Sequence, residues 1–129
     1  MLAEALYALG QYEESEQWAL RGLELASPDD LGALVIGLGV RARLLTRRGE
    51  VSAALALAGQ VDDLARISED PRDAGDAALN HAEISYLIGD PGRAQEMAQR
   101  AIDHYLTNGA TARAARARRL AAEWAIKTS

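Results

Sequence analysis

Side chains with the potential for chemistry are few and widely separated in this sequence. His81 and Glu83 form an H-x-E string, which in zinc deaminases is followed by a pair of cysteines. This chain has no cysteine, and its second histidine is the distant His104. No serine has the small neighbours that form the nucleophile turn of a hydrolase. We therefore predict no catalytic residue, no metal site and no cofactor, and we expect a protein that is not an enzyme.

Two further patterns have a structural explanation. The turn at Gly89–Arg93 places glycine and a basic residue ahead of a helix, but it lacks the Gly-Lys-Ser/Thr ending that binds phosphates. Asp90 is better explained as a helix N-cap and Pro91 as the first helical residue. The acidic pairs Glu13–Glu14 and Asp29–Asp30 fall at expected helix starts, where negative charge interacts favourably with the helix dipole.

Charge is distributed unevenly along the chain. Residues 1–40 hold seven acidic and one basic residue, net −6, whereas residues 104–129 hold five basic and one acidic residue, net +4. Arg113, Arg116 and Arg119 fall on successive turns of the last predicted helix, as a phosphate-binding patch requires. The overall charge of −5 and the lack of interleaved aromatics instead favour contact between opposite ends of two copies.

The composition favours an all-α protein. Alanine and leucine dominate, phenylalanine is missing, and β-branched residues are sparse. The longest uncharged apolar run, Leu31–Val40, is far below the roughly 20 residues that cross a bilayer, and the first residues do not resemble a secretory signal. We expect a soluble protein without membrane contact, and the lack of cysteine is compatible with the cytoplasm.

Apolar residues recur at steps of three and four between turn residues, which is typical of amphipathic helices. The pattern predicts helices near residues 2–9, 12–26, 29–48, 51–67, 73–88, 91–107 and 111–127.

The sequence contains an internal repeat. Gly10, Gly49 and Gly89 each end one predicted helix shortly before the next, at separations of 39 and 40 residues. Five residues after each glycine stands a small residue: Ser15, Ala54 or Ala94. The repeated unit is therefore a helix, a glycine turn and a second helix.

The first unit resembles the second half of a tetratricopeptide repeat. The residues that carry this resemblance are Gly10, Tyr12, Glu14, Trp18, Gly22, Leu23 and Leu25. The resemblance implies an α-solenoid of about three antiparallel helix hairpins in a single domain, residues 1–129. Because the spacing exceeds the usual period of about 34 residues, it also implies longer connections between hairpins, such as Ser68–Arg72.

A more particular resemblance covers nearly the whole chain. The segments "LASPDD", "VRARLLTRRGE", "DAALNHAEISYLIGDPGRAQEMAQRAIDHY" and "ARAARARRLAAEWA" resemble the C-terminal repeat tail of bacterial regulators that join a class III adenylate or guanylate cyclase to an ATPase module. Tails of ATPase-type transcriptional regulators are similar. The resemblance implies a regulatory fragment of a longer signalling protein. His81 and Ser85 depart from it, standing where that tail usually has leucines, so a polar spot or a locally less stable hairpin is expected there.

Two surfaces are candidates for binding. In stacked hairpins the first helices usually line a concave groove, which would bring together Arg43, Arg47, Asp76, Glu83 and Tyr86. These side chains could bind a peptide, or they could simply pair with each other as surface ions.

The second surface combines the two ends of the array. Leu2, Leu6 and Leu9 belong to an incomplete first repeat whose apolar edge needs cover, and Arg113, Arg116 and Arg119 form the basic end. Trp18 and Trp124 are predicted to be packing residues. The leading hypothesis is a module that binds a protein, a peptide or a second copy of itself. The alternatives are a sensor of a small molecule and, less favoured, a nucleic-acid-binding module.

Overall fold

The computed structural model describes residues 2–128, and every regular element in this range is an α-helix. The helices are α1 (Leu2–Ala8), α2 (Tyr12–Leu25), α3 (Leu31–Arg47), α4 (Val51–Ser68), α5 (Pro71–Leu87), α6 (Pro91–Thr107) and α7 (Thr111–Thr128). The all-α prediction is confirmed, and the predicted helices differ from these by at most two residues at either end.

The predicted glycine turns share one backbone geometry. Gly10, Gly49 and Gly89 have φ angles of +78°, +82° and +88°, a conformation in which a side chain would be strained. After each glycine, the next backbone N–H donates to the carbonyl five residues earlier, as from Gln11 to Leu6 at 2.9 Å. This pattern defines a Schellman motif, which ends one helix and directs the chain back along it.

Aspartate side chains begin three of the helices. Asp30 and Asp90 accept hydrogen bonds from backbone N–H groups three residues later, at 3.2 and 3.1 Å. Asp70 accepts from the N–H two residues later at 2.9 Å. Pro71 and Pro91 occupy the first helical positions, where their missing N–H costs no hydrogen bond. The helix-cap explanation of the Gly89–Arg93 turn is confirmed.

The connection between the second and third hairpins is short. α4 ends at Ser68 and α5 begins at Pro71, so only two residues lie between them. The prediction of a long connection at Ser68–Arg72 was wrong. The spacing of 40 residues from Gly49 to Gly89 arises instead from α4 and α5, which have 18 and 17 residues. The spacing of 39 residues from Gly10 to Gly49 includes the 14-residue α2, the 17-residue α3 and a five-residue connection, residues 26–30.

The helices pack as consecutive hairpins in series. α1 packs on α2, α3 on α4 and α5 on α6, neighbouring hairpins are in contact, and α7 packs on α6. The small residues Ser15, Ala54 and Ala94 are fully buried where the second helix of each pair meets the first. The Ser15 hydroxyl also donates to the Ala3 carbonyl at 2.7 Å. This arrangement confirms the predicted solenoid of three hairpins, extended by α7.

Alternate helices of the series, α1, α3, α5 and α7, contribute most of the lining of the groove described below. Within residues 2–128, none of the helices combines the length and apolar character that a membrane span requires.

Candidate ligand-binding groove

Two adjoining cavities form the groove. The first cavity, of about 320 Å³, has a polar lining of Glu4, Arg43, Asp76, Asn80, Arg113 and Arg116. The second cavity, of about 380 Å³, is lined by residues that include Tyr7, Arg47, Glu83, Tyr86, Arg119 and Trp124. Ala8 of α1 and Arg116 of α7 line both cavities, so these residues mark the boundary between them.

An ion pair in the lining of the first cavity joins α1 to α3. Arg43 is 6% exposed, and its guanidinium donates to a carboxylate oxygen of Glu4. It also donates to the Gly39 carbonyl at 3.2 Å and lies 4.6 Å from the centroid of the Tyr7 ring. Burial alone would raise the pKa of Glu4, but the charges of Arg43 and Arg116 and the hydrogen bond from Arg43 hold that pKa below its ordinary value.

Arg116 of α7 approaches the same carboxylate from across the groove. Its Nη2 lies 3.5 Å from Glu4 Oε2, an oxygen that is buried and accepts no hydrogen bond. This distance exceeds the approximately 2.7–2.9 Å of a charge-assisted hydrogen bond. The contact is therefore electrostatic and leaves hydrogen-bonding capacity on both partners.

A second polar cluster lies in the first cavity between α5, α6 and α7. The Tyr105 hydroxyl donates to Asp76 Oδ1 at 2.5 Å, and Arg113 Nη1 lies 4.0 Å from Asp76 Oδ2. Burial raises the pKa of Asp76, although the Tyr105 hydrogen bond and the Arg113 charge act in the opposite direction. The Tyr105 ring can occupy this place because it packs against Gly75, which has no side chain.

Asn80 of α5 has an unusual position in the first cavity. It is only 4% exposed, yet neither its amide nitrogen nor its amide oxygen has a hydrogen-bond partner in the structure. The amide lies against Gly39 of α3, where an added Cβ would be 3.4 Å from Asn80 Oδ1. Buried polar groups in native proteins are nearly always paired, so an unpaired amide in a cavity lining indicates a place for a ligand or a bound water.

The second cavity is built on another network of α1, α3 and α5. The buried Tyr7 hydroxyl donates to Glu83 and accepts a hydrogen bond from Arg47 at 2.7 Å. Arg47 also lies 3.8 Å from the Glu83 carboxylate. At the far end of this cavity, the ring of Tyr86 stacks on Trp124 with their centroids 5.4 Å apart.

No family model, curated protein or solved structure matches this chain. Among residues 2–128, no three histidine, aspartate or glutamate side chains are grouped as metal ligands would be.

The structure brings all five predicted groove residues to the groove, but into different cavities. Arg43 and Asp76 line the first cavity, and Arg47, Glu83 and Tyr86 line the second. The alternative reading also has support, since Arg47 pairs with Glu83. Arg47 is exposed, whereas Arg43 is buried and hydrogen-bonded to Glu4. The sequence alone does not predict this difference between the two arginines.

The residues predicted for an interface lie in different surroundings: some are buried, some are exposed and some line the groove. Leu6 is buried within the chain, whereas Leu2 and Leu9 are 48% and 71% exposed. Arg113 and Arg116 line the first cavity, and Arg116 and Arg119 line the second, so these arginines belong to the groove.

The two tryptophans differ in their surroundings. Trp124 is buried in the core, as predicted, but Trp18 is 45% exposed and lines a shallow apolar pocket of about 160 Å³ with Leu2 and Leu25. Trp18 therefore packs only in part.

The expected polar spot at His81 and Ser85 lies outside both cavities. His81 Nε2 is 2.7 Å from Asp62 Oδ2 of α4, and Ser85 is buried in α5. The pair of His81 with Asp62 links α4 to α5 and supplies nothing to the groove.

Sequence reasoning missed several groove residues, although one signal was present. Asn80, which was not predicted for the groove, follows Asp76 by four residues and precedes Glu83 by three, which places three polar side chains on one face of α5. A polar stripe on a helix that is buried on its other faces indicates a groove lining. Glu4 and Tyr7 show the same spacing on α1.

Proposed function

We propose that this chain is a non-catalytic interaction module that binds a peptide segment of a partner protein in the groove. The observation that carries the proposal is the unpaired, buried amide of Asn80 in a cavity whose other walls present charged side chains. An asparagine amide offers two donors and an acceptor, which is the complement of a peptide backbone amide. A peptide would thus satisfy a group that the folded chain leaves unsatisfied.

The size and the lining of the groove support this proposal. Together the two cavities fall within the range of about 300–1,000 Å³ found for ligand sites. In the described part of the chain, no histidine, serine or threonine lines either cavity, so neither cavity pairs a hydroxyl nucleophile with a histidine base.

A regulatory role in a bacterial signalling protein is part of the proposal. Its support is the resemblance of the chain to the repeat tails of cyclase and ATPase regulators. The genomic sequence around the coding region tests this context. A cyclase or ATPase domain in the same reading frame is the expected result, and a reading frame without either domain would contradict it.

Selection of displayed peptides tests the binding itself. A library of random 12-residue peptides on phage is panned against the immobilised chain, and selected peptides are measured by calorimetry. The groove variant is Ala8→Trp, because Ala8 is exposed and borders both cavities, so an indole there fills the groove without entering the core. The matched control is Ala56→Trp, at an exposed position of α4 that lines neither cavity.

The expected result is a set of related peptides that bind the parent chain and Ala56→Trp equally and bind Ala8→Trp at least tenfold more weakly. A library that yields no binders, or binders that are indifferent to Ala8→Trp, would rule out the groove as a peptide site.

Self-association is a second candidate, favoured by one observation. Leu2, Trp18 and Leu25 are 48%, 45% and 76% exposed and share one apolar pocket between α1 and α2. Clustered apolar side chains of this kind are typical of contact sites. Sedimentation velocity over a range of concentrations tests this candidate, with Trp18→Gln expected to shift a dimer to a monomer. A parent chain that remains monomeric throughout would exclude it.

A further inference from the structure

The first cavity carries an excess of positive charge. Its charged lining comprises three arginines and two carboxylates. Arg43 is buried and hydrogen-bonded to Glu4, which compensates its charge. The excess therefore lies on the arginines of α7, Arg113 and Arg116.

These two arginines have N–H groups that make no direct hydrogen bond to the neighbouring carboxylates. Arg113 lies 4.0 Å from Asp76 and Arg116 lies 3.5 Å from Glu4, and both distances exceed that of a charge-assisted hydrogen bond. Their side chains are 44% and 40% exposed, so a ligand in the cavity can reach them. They are three residues apart on one helix face, and each guanidinium carries five N–H donors in a fork that fits a carboxylate.

Asn80 supplies an independent sign of a ligand in the same cavity. It belongs to α5, a different wall from α7, and its amide is buried and without a partner. The amide offers two N–H donors and one carbonyl acceptor, which together match the acceptor and donor of a peptide backbone amide. The cavity thus combines two arginines with unused N–H donors on one wall with an unpaired amide on another.

We propose that the first cavity binds an acidic side chain of a peptide, with the carboxylate of aspartate or glutamate on Arg113 and Arg116 and the adjoining backbone amide on Asn80. This inference rests on the proposed function and names its ligand class. The two arginines give up their long contacts with Asp76 and Glu4 and donate direct hydrogen bonds to the carboxylate of the ligand. The buried Asn80 amide turns toward the ligand to make its own hydrogen bonds.

Small probes test the chemistry without a known partner. The isotope-labelled full chain is titrated with N-acetylglutamic acid α-amide. The side-chain amide and guanidinium signals are followed by NMR. This probe carries one side-chain carboxylate between two amides. Two controls are N-acetylglutamine α-amide, its neutral equivalent, and N-acetylglycine, whose carboxylate corresponds to a peptide C-terminus. We expect the acidic probe to shift the Asn80, Arg113 and Arg116 signals and to bind at least tenfold more tightly than either control.

Variants then assign the binding to these side chains. The double variant Arg113→Gln with Arg116→Gln is expected to lose the preference for the acidic probe over its neutral equivalent. Arg118→Gln, at an exposed position of α7 that lines neither cavity, is expected to keep it. If the double variant fails to fold, Arg116→Lys serves instead. It keeps the charge but loses the fork, and a preference reduced several-fold is expected.

The results separate this inference from the proposed function. If phage selection yields groove-binding peptides without acidic residues, or the acidic preference persists in the double variant, the inference is overturned while peptide binding stands. Tighter binding of N-acetylglycine would likewise overturn it, because the carboxylate would then be a chain terminus. If no peptide is selected at all, the proposed function fails before the question of charge arises.

Discussion

Arg116 of the last helix lies 3.5 Å from the Glu4 carboxylate of the first, although the two residues are 112 positions apart in the sequence. This contact joins the acidic first part of the chain to the basic last part within one molecule. The sequence suggested that these opposite charges would attract a second copy. The contact shows that at least one pair of these opposite charges interacts within the same molecule, across the groove.

Acid should weaken the contact at Glu4. A carboxyl group whose pKa is lowered by folding stabilises the folded state above its unfolded pKa, and this stability is lost as pH falls through the folded pKa. The pKa of Glu4 lies below its ordinary value of 4.5. We expect Glu4→Gln to be less stable than the parent at pH 7, with the difference shrinking as the pH falls below about 4. Urea unfolding across this pH range measures it.

The matched control for this measurement is Glu14→Gln, an exposed residue of α2. Its difference in unfolding free energy from the parent at pH 7 should be much smaller than that of Glu4→Gln. A parent-minus-Glu4→Gln difference that stays constant between pH 7 and pH 3 would contradict the assigned pKa direction.

Two glycine-to-alanine changes should have opposite effects on stability. At Gly75, an added Cβ would lie 2.4 Å from the Tyr105 ring, so the ring must move in a packed core. We expect Gly75→Ala to be destabilised by about 1–3 kcal/mol. At Gly59 in α4, no atom lies within 4 Å of an added Cβ, and alanine should stabilise the helix by up to about 1 kcal/mol.

Thermal and urea unfolding of both glycine variants give the comparison directly. Equal effects of the same sign would show that helix propensity alone decides both positions. Because Tyr105 donates to Asp76, the Gly75→Ala change should also disturb the first cavity, which can be followed through the NMR signals of Asp76 and Arg113.

The hydroxyl of Tyr7 should matter more than that of Tyr12. Tyr7 is buried and its hydroxyl bridges Glu83 and Arg47, so Tyr7→Phe removes the hydrogen bond that a buried carboxylate accepts. We expect a loss of about 1–3 kcal/mol in the free energy of unfolding. Tyr12→Phe is the matched control, since the Tyr12 ring packs beside Tyr7 at 5.3 Å and its hydroxyl makes no hydrogen bond in the described structure. Similar losses in the two variants would contradict the bridging role.

The helices and their order could be predicted because local signals decide them. Glycine at positive φ ends helices by the same backbone pattern wherever it occurs, and Asp-Pro pairs begin them. The fully buried small residues Ser15, Ala54 and Ala94 gave the packing of each hairpin. These signals act within a few residues of the chain and are therefore visible in the sequence.

The groove could be predicted only in part, because its contacts join distant residues. The five predicted residues do reach the groove, but nothing local indicated that Arg43 would be neutralised by Glu4, or that α7 would face α1. The first relationship depends on how the second hairpin packs on the first. The second depends on the rotations between successive hairpins, which add up along a stacked series and are specified by no single residue.

Asn80 provides a prediction in which stability and binding change in opposite directions. A buried amide without partners costs about 1–3 kcal/mol of stability, and both amide atoms of Asn80 lack a partner. Asn80→Leu keeps the number and branching of the side-chain heavy atoms and removes that cost, so we expect its unfolding free energy to rise by about 1 kcal/mol. Its binding of groove-selected peptides should nevertheless fall at least tenfold, because the complement of the peptide amide is lost.

A purely structural asparagine would give a different result, since its loss would lower stability and binding together. Asn80→Asp provides a second comparison: its new negative charge adds to the carboxylates of Glu4 and Asp76 and should repel an acidic ligand. If Asn80→Leu proves less stable than the parent, the unpaired amide does not carry the expected cost in the free protein. The case for a ligand at this position would then lose its main support. A variant that is more stable yet binds more weakly would show that Asn80 is retained for recognition at the expense of the fold.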